Sequence, residues 1–433
     1  MTSVAEVKLW GKTIGVVSQE INEVSKFQYD PSFVKSKIQI SPLKMPLSDK
    51  IYTFPELQER SFQGLPGLLS DSLPDTYGNT LIDTWLATQG RTTDSFQSVE
   101  RLCYTGTRGM GAIEYNPSSG PSPSESKDIS ISPLIELASK ILSHRESLDT
   151  ILTSDSEEKA LTEILRIGTS AGGARAKALI ALNKKTGAIR SGQASTKDGF
   201  QHWIIKFDGV SNNGEKGLND PKGYGSIEYA YHKMALDAGI IMTESKLLEE
   251  NGRKHFMTKR FDRTAEGKKI HMLSLAGLAH FDFNSPGAHS YEQVFSIIRQ
   301  LDMTTEDIEQ QFLRMLFNII ARNQDDHVKN IAFLMNKAGT WRLSPAFDIT
   351  YSYNPEGLWT SKHQMTIEGK RDNFSIDNIY KCGESALLKK RRINQLIHQV
   401  QSAIQQWSDI AGNVGIPEKT TNQIQQTFRS FKT

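Results

Sequence analysis

Apolar and polar positions change their rhythm along this chain, and the change predicts the elements. Short segments such as Val7–Trp10 and Ile38–Ile40 alternate apolar and polar residues with turn residues between them, the period of half-buried strands. They predict a small sheet-rich region, with a helix near Asn79–Ala87. Further on, Ala178–Leu182 and His202–Phe207 read as strands. Helical spacing appears in Leu134–Ser143, Ile227–Ala238 and Thr305–Arg322. In the last of these, Phe312, Met315, Leu316, Ile319 and Ile320 fall at i, i+3, i+4, i+7 and i+8, which gives one buried face. Leu387–Trp407 and Thr421–Phe431 are helical in character as well, so the second unit runs strands first and helices later. No internal repeat interrupts the order, and the class is α+β.

The clearest break in composition is Asn116–Pro133, NPSSGPSPSESKDISISP, where serine and proline dominate and apolar side chains are too few to fold alone. It reads as a linker. At 433 residues the chain fits two or three packed units rather than one core. No run of about 18 apolar residues occurs, so nothing predicts a membrane span. The first twenty residues mix charges into apolar positions, unlike an export signal, and a cytoplasmic location is expected. With only Cys103 and Cys382, far apart, cysteines build neither a disulfide framework nor a zinc site. A net charge of +2 does not point to nucleic acid, so any DNA contact has to be local.

The segment Asn323–Asn330, NQDDHVKN, packs two carboxylates, an imidazole, an amine and two amides just past the end of a helix. Phosphoryl transfer needs an acid to take the acceptor hydroxyl's proton, and oxygen ligands for the magnesium that bridges the phosphates. Asp325 and Asn330 stand five positions apart, the spacing of Asp and Asn in a kinase catalytic loop, and this register favours Asp325 over Asp326. Ile331–Met335, Asn336–Thr340 and Trp341–Leu343 read as strand, turn and strand, a hairpin that returns Asp348 to the side of Asn330. Asn and Asp also favour caps and turns, but hairpin and spacing together favour chemistry. No H-R-D triplet is present, and Ile349 stands where a D-F-G motif has glycine.

Upstream, Gly168–Lys177, GTSAGGARAK, is rich in small residues that let backbone N–H groups approach phosphates, although it matches neither of the usual glycine-rich phosphate motifs and taken alone is more often a simple turn. Lys206, inside an apolar strand, is costly to bury unless it meets an anion, and so is a candidate for pairing ATP phosphates; an edge-strand lysine reaching solvent is the alternative. Glu228 at the start of the following helix is a candidate to orient it, although an acidic residue in a first helical turn needs no such role. His255–Arg263, HFMTKRFDR, falls where a connecting strand would meet adenine, and ordinary surface charge accounts equally well for its basic residues.

In this order the segments resemble the HipA family of toxin kinases over nearly the whole chain. GLPGLLSDSLPDTYGN (Gly64–Asn79) and RGMGAIEY (Arg108–Tyr115) resemble its amino-terminal domain, and SAGGARAK, IIKF, KRFDR, NQDDHVKN and SPAFDI resemble its successive ATP-site segments. The resemblance implies a HipA-like, protein-kinase-type fold divided as follows: an amino-terminal domain over 1–115, the linker over 116–133, a kinase N-lobe over 134–262 and a helical C-lobe over 263–433. It implies ATP and Mg2+ as cofactors, Asp325 as catalytic base, Asn330 and Asp348 as metal ligands, and Lys206 on the phosphates. Gly172, Gly173, Ala174, Arg175, Ala176 and Lys177 would form the phosphate loop. Lys259, Arg260 and Phe261 would meet adenine and Asp262 the ribose, while His327, Val328, Lys329 and Phe347 would complete the ATP site. Ser170 falls at the family's inhibitory autophosphorylation site, with Thr169 as an alternative acceptor. Family members pair with a HipB-like helix-turn-helix antitoxin on operator DNA, and their target class is aminoacyl-tRNA synthetases. Lys389, Lys390, Arg391 and Arg392 form the densest basic cluster and would touch operator phosphates. A solvated helix face accounts equally well for those four charges. The function expected is a serine/threonine protein kinase toxin. A catalytically silent co-repressor or a small-molecule kinase are the alternatives.

Overall fold

The computed structural model describes residues 2–120, 131–143, 164–165, 175–192, 199–210 and 222–432. Strands β1 (Thr2–Leu9) and β2 (Lys12–Glu20) form an antiparallel hairpin closed by Trp10 and Gly11, both at positive φ. Ala5, Val7 and Leu9 face inward at every second position of β1, as alternation requires. With β3 (Lys26–Tyr29), β4 (Ile51–Tyr52) and β5 (Ile113–Asn116) they build an antiparallel sheet in the order β4-β3-β2-β1-β5. The expected strand at Ile38–Ile40 is not one. Side chains use its backbone instead: Trp341 Nε1 donates to the Gln39 carbonyl at 3.2 Å, and His271 Nε2 contacts the Ile40 carbonyl at 3.2 Å. A backbone that satisfies side chains from elsewhere has no need of a ladder partner.

A second antiparallel sheet holds β6 (Lys177–Asn183), β7 (Ile189–Ser191), β8 (Phe200–Lys206), β9 (Ser245–Glu250) and β10 (Arg253–Lys259), ordered β7-β6-β8-β10-β9. The helix Tyr224–Asp237 packs on β9 and β10. Its first turn can come so close because residue 225 is glycine: a Cβ there would lie 2.2 Å from the Lys254 carbonyl oxygen. The third sheet, β11 (His271–Ser274), β12 (Ala332–Met335) and β13 (Trp341–Leu343), carries the expected hairpin and adjoins the helical lobe. That lobe includes Tyr291–Gln300, Thr305–Ile320, Ile376–Ser385, Lys390–Gln405, Trp407–Val414 and Glu418–Gln425.

Among the described residues, two apolar cores hold the molecule. One joins the first sheet to the helical lobe, from Val7 and Phe27 through Phe295 and Phe312 to Trp407. The other packs Tyr77, Leu81 and Leu86 of the helix Thr76–Thr88 against Leu134 and Ala138, and against Ala178, Ile180 and Trp203 of the second sheet. Each core therefore takes side chains from the amino-terminal region and from the unit after the linker. Among the described residues, no helix is long and apolar enough to cross a membrane. Mixed sheet and helix, with strands early and helices late, is the α+β class expected.

Candidate functional site

At the carboxyl end of β8, Lys206 is flanked in register by Lys177 on β6 and Phe256 on β10. Its Nζ lies 2.5 Å from Glu228 Oε1 and also contacts Asp348 Oδ1. Glu228 is buried on the helix Tyr224–Asp237. Burial works against the Lys206 ammonium, but the Asp348 and Glu228 carboxylates more than offset it and hold the amine above its ordinary range. Reciprocally, burial would raise the Asp348 carboxyl, and Lys206 and Lys177 outweigh that and lower it. Arg175 joins the group, with Nη1 3.5 Å from Glu228 Oε2 and its guanidinium 3.5 Å above the Tyr224 ring. Ala176 is buried and accepts from the Phe207 amide. Lys177 turns toward the amino-terminal region, its Nζ 3.0 Å from Asp75. Asp75 also caps the helix Thr76–Thr88 through the Gly78 amide at 2.6 Å. Gly172, Gly173 and Ala174, with Ser170 and Thr169, lie outside the described residues.

The helix Thr305–Ile320 delivers the chain to Asn323–Asn330. Here the Asn330 side-chain N–H donates to the Asp325 carbonyl at 2.8 Å, so the five-residue spacing closes a tight loop. The Asp325 amide donates to Ser352 Oγ at 3.2 Å, and the Trp359 indole N–H donates to Asp325 Oδ1 at 2.7 Å. His327 Nε2 stands 3.8 Å from the same oxygen. Val328 is buried, and the Lys329 ammonium sits 4.3 Å above the Phe283 ring. Asp348, at the end of the hairpin, adopts a left-handed backbone at φ +53°. It lines, with His327, Asn330 and Phe347, one open pocket. The hairpin thus brings Asp348 beside Asn330, as its sequence predicts.

Asp326 is used differently from its neighbour. It is 3% exposed, and its oxygens accept from the Gln364 amide at 2.7 Å and the Tyr291 hydroxyl at 2.7 Å, with His363 Nδ1 at 2.9 Å. Burial would raise its carboxyl, but these partners hold it below the usual range.

In the connecting segment, Thr243 Oγ1 donates to the Lys259 carbonyl at 2.8 Å, and the Arg260 amide donates to the His202 carbonyl at 3.0 Å. The half-exposed Phe261 ring lies 5.5 Å from that of Phe347, a pair of aromatic faces beside Asp348. Asp262 is not open to a ribose. Its fully buried carboxylate accepts from Arg260 Nε at 2.8 Å, Arg260 Nη2 at 2.7 Å, Arg263 Nη1 at 2.7 Å and the Gly111 amide at 2.7 Å. Burial opposes that charge, yet the two guanidiniums hold the carboxyl far below its ordinary value. Gly111, at φ +73°, fits there because a Cβ would press to 3.0 Å from the Met272 amide. Sequence reasoning missed this knot. Its signal was the acid flanked by two arginines, which suits a buried charge as well as a surface one.

In the helical lobe, Lys389, Lys390 and Arg391 are exposed at the start of the helix Lys390–Gln405. Arg392 is held by Glu309 through contacts of 2.9 and 2.7 Å.

Magnesium keeps several waters and takes one or two carboxylates plus phosphate oxygens rather than a full protein cage. Asp348 and Asn330, side by side on one cavity, fit that donor set. Lys206, Phe261 and Phe347 fit a nucleotide: a cation for phosphate and aromatic faces for a base.

The profile of the HipA-like C-terminal domain matches residues 169–407, and that of the HipA N-terminal domain matches 5–116. A curated relative named "Putative kinase", from Haemophilus influenzae, is 28% identical over 190 residues, which is 38% of this chain and 55% of the relative. The chain thus spans about half the length of that curated relative. The solved complex of HipA, HipB and operator DNA from Shewanella oneidensis MR-1 contains a chain with the same fold: TM-score 0.67, 16% identity, covering 98% of this chain and 96% of that one. Helicobacter pylori proinflammatory kinase CtkA aligns at TM-score 0.33 and 11% identity over 53% of this chain and 88% of its own, too slight a likeness to argue from. Matched over more than half its length by the family's carboxyl-terminal profile and again by its amino-terminal one, the chain belongs to the HipA family.

Proposed function

We propose that this protein is an ATP- and magnesium-dependent serine/threonine protein kinase that serves as the toxin of a toxin-antitoxin pair. The observation that carries the reading is the meeting of Lys206, Glu228 and Asp348 beside the Asp325–Asn330 loop. Lys206 orients the phosphates and Glu228 holds Lys206. Asp325 takes the proton of the acceptor hydroxyl as its oxygen attacks the γ-phosphorus and the bond to the β-phosphate oxygen breaks. Magnesium, when held by Asp348 and Asn330, neutralises charge on the phosphates. Phe261 and Phe347 receive the adenine, and Arg175, beside Glu228, would face the phosphates, whereas Lys177 is held by Asp75.

The acceptor proposed is a serine in a translation component such as an aminoacyl-tRNA synthetase. The partners proposed are a HipB-like antitoxin and operator DNA, in keeping with the Shewanella complex. Autophosphorylation at Ser170, or at Thr169, would add about −1.5 to −2 charges to the chain and, as in the family it resembles, silence the enzyme. Phosphoproteomics after brief induction tests the whole reading, comparing the intact protein with Asp348→Ala. New phosphoserines that appear only with the intact protein are expected. An identical phosphoproteome from both would refute it.

A further inference from the structure

Asp325 and Asp326 are adjacent carboxylates in opposite conditions. Both oxygens of Asp326 are engaged by buried donors. In Asp325 the contacts gather on one oxygen: Oδ1 takes the Trp359 indole N–H and faces His327, while Oδ2 accepts no hydrogen bond among the described residues. An indole N–H can only donate, so it never competes for the proton that a base must collect. A carboxylate terminal torsion is broad and roughly two-fold, so an unrestrained Asp325 would rotate. Pinning Oδ1 removes that freedom and leaves Oδ2 as the acceptor.

The mount of the indole is itself fixed. The Trp359 carbonyl accepts from Gln364 Nε2 at 2.5 Å, and the same amide nitrogen donates to the Gln324 carbonyl at 3.3 Å. The Gln364 backbone amide bonds Asp326. The segment from Trp359 to Gln364 is therefore tied to the three consecutive residues Gln324, Asp325 and Asp326. Next to the indole, Leu358 stands fully exposed, so the loop that carries Trp359 also faces the solvent from which an acceptor arrives.

We propose that Trp359 is a positioning residue for the base: its N–H holds Asp325 Oδ1 so that Oδ2 meets the acceptor hydroxyl. The inference rests on Asp325 being that base. A hydrogen bond to a charged group that aligns a reacting atom accounts for a change of about tenfold in turnover. The test is steady-state phosphate transfer by Trp359→Phe, which keeps a ring and loses the N–H. We expect kcat to fall about tenfold with KM for ATP unchanged. In an Asp325→Asn background the same change should have no further effect on the residual rate. Trp359→Gln, with an amide donor of similar reach, should retain more turnover than Trp359→Leu, which a role in packing alone would not produce. Unchanged or increased kcat in Trp359→Phe, a rise confined to KM, or an equal loss in the Asp325→Asn background would each overturn the proposal. Full activity in Asp325→Asn alone would instead overturn the reading beneath it.

Discussion

The segment Asn323–Asn330, proposed as the catalytic loop, and the connecting segment Lys259–Arg263 look alike in sequence: short, crowded with charge, and each expected to serve ATP. The structure uses them in opposite ways. In the first, one carboxylate is buried and saturated while its neighbour, partly exposed, has one oxygen that accepts no hydrogen bond among the described residues. In the second, Arg260, Asp262 and Arg263 turn inward and bind Gly109 and Gly111 of the amino-terminal region, leaving the Phe261 ring to the pocket. Charge density therefore does not separate chemistry from architecture; burial by a neighbouring unit does. Asp262 locks the connecting segment to the amino-terminal region, whereas Asp325 is kept available.

If that contrast is right, the largest loss of stability should come from Asp262→Ala. Removing the central carboxylate leaves two buried guanidiniums unpaired, at a cost of about 3–5 kcal/mol. Urea unfolding would detect it, and a change below about 1 kcal/mol would erase the distinction between the segments. Asp326→Asn keeps the shape but weakens the bonds to Tyr291 and His363, so a smaller loss of about 1–3 kcal/mol is expected by the same measurement.

Acid probes the contacts between units. Burial lowers His202, His232, His271 and His280 from 6.5 to about 4. In the fold these rings stay neutral between pH 6.5 and 4 while the unfolded chain takes up protons, so stability falls as pH drops through that window. The Gly67 amide donates to His280 Nε2 at 3.0 Å, a bond between the amino-terminal region and the helical lobe that protonation would break. A melting temperature that stays level from pH 7 to pH 4.5 would contradict this. The smallest effect concerns the basic cluster. In an antitoxin and operator complex, Arg391→Ala should lower the salt slope of DNA binding by about one, whereas Arg392→Ala, already held by Glu309, should change it little. Equal slopes for the two would remove Arg391 as a phosphate contact.

Local signals made much of this visible in the sequence. The helix Thr305–Ile320 followed from apolar spacing, β12 and β13 from the turn between them, and the meeting of Asp348 with Asn330 from that hairpin. Asp325 over Asp326 came from spacing alone, while the saturation of Asp326 by Tyr291, His363 and Gln364 depends on residues distant in sequence. What was not legible depended on distant partners. Ile38–Ile40 alternates like a strand, but Trp341 and His271 claim its backbone. Asp262 looked free for a ribose because Gly111 is 151 positions away. The ion pair of Lys177 with Asp75 crosses from one region to another for the same reason. Trp359, 34 positions after the carboxylate it touches, belongs to no motif that spacing could expose.

The most direct test of the central claim is to measure, on the same preparation of Asp325→Asn, both ATP affinity by calorimetry and phosphate transfer to protein. ATP affinity should stay within about twofold of the intact protein and transfer should fall by about 10²–10⁴, since the amide binds no proton at neutral pH while Lys206, Asn330 and Asp348 remain in place. Transfer at the intact rate would show that Asp325 is not the base and that the chemistry lies elsewhere.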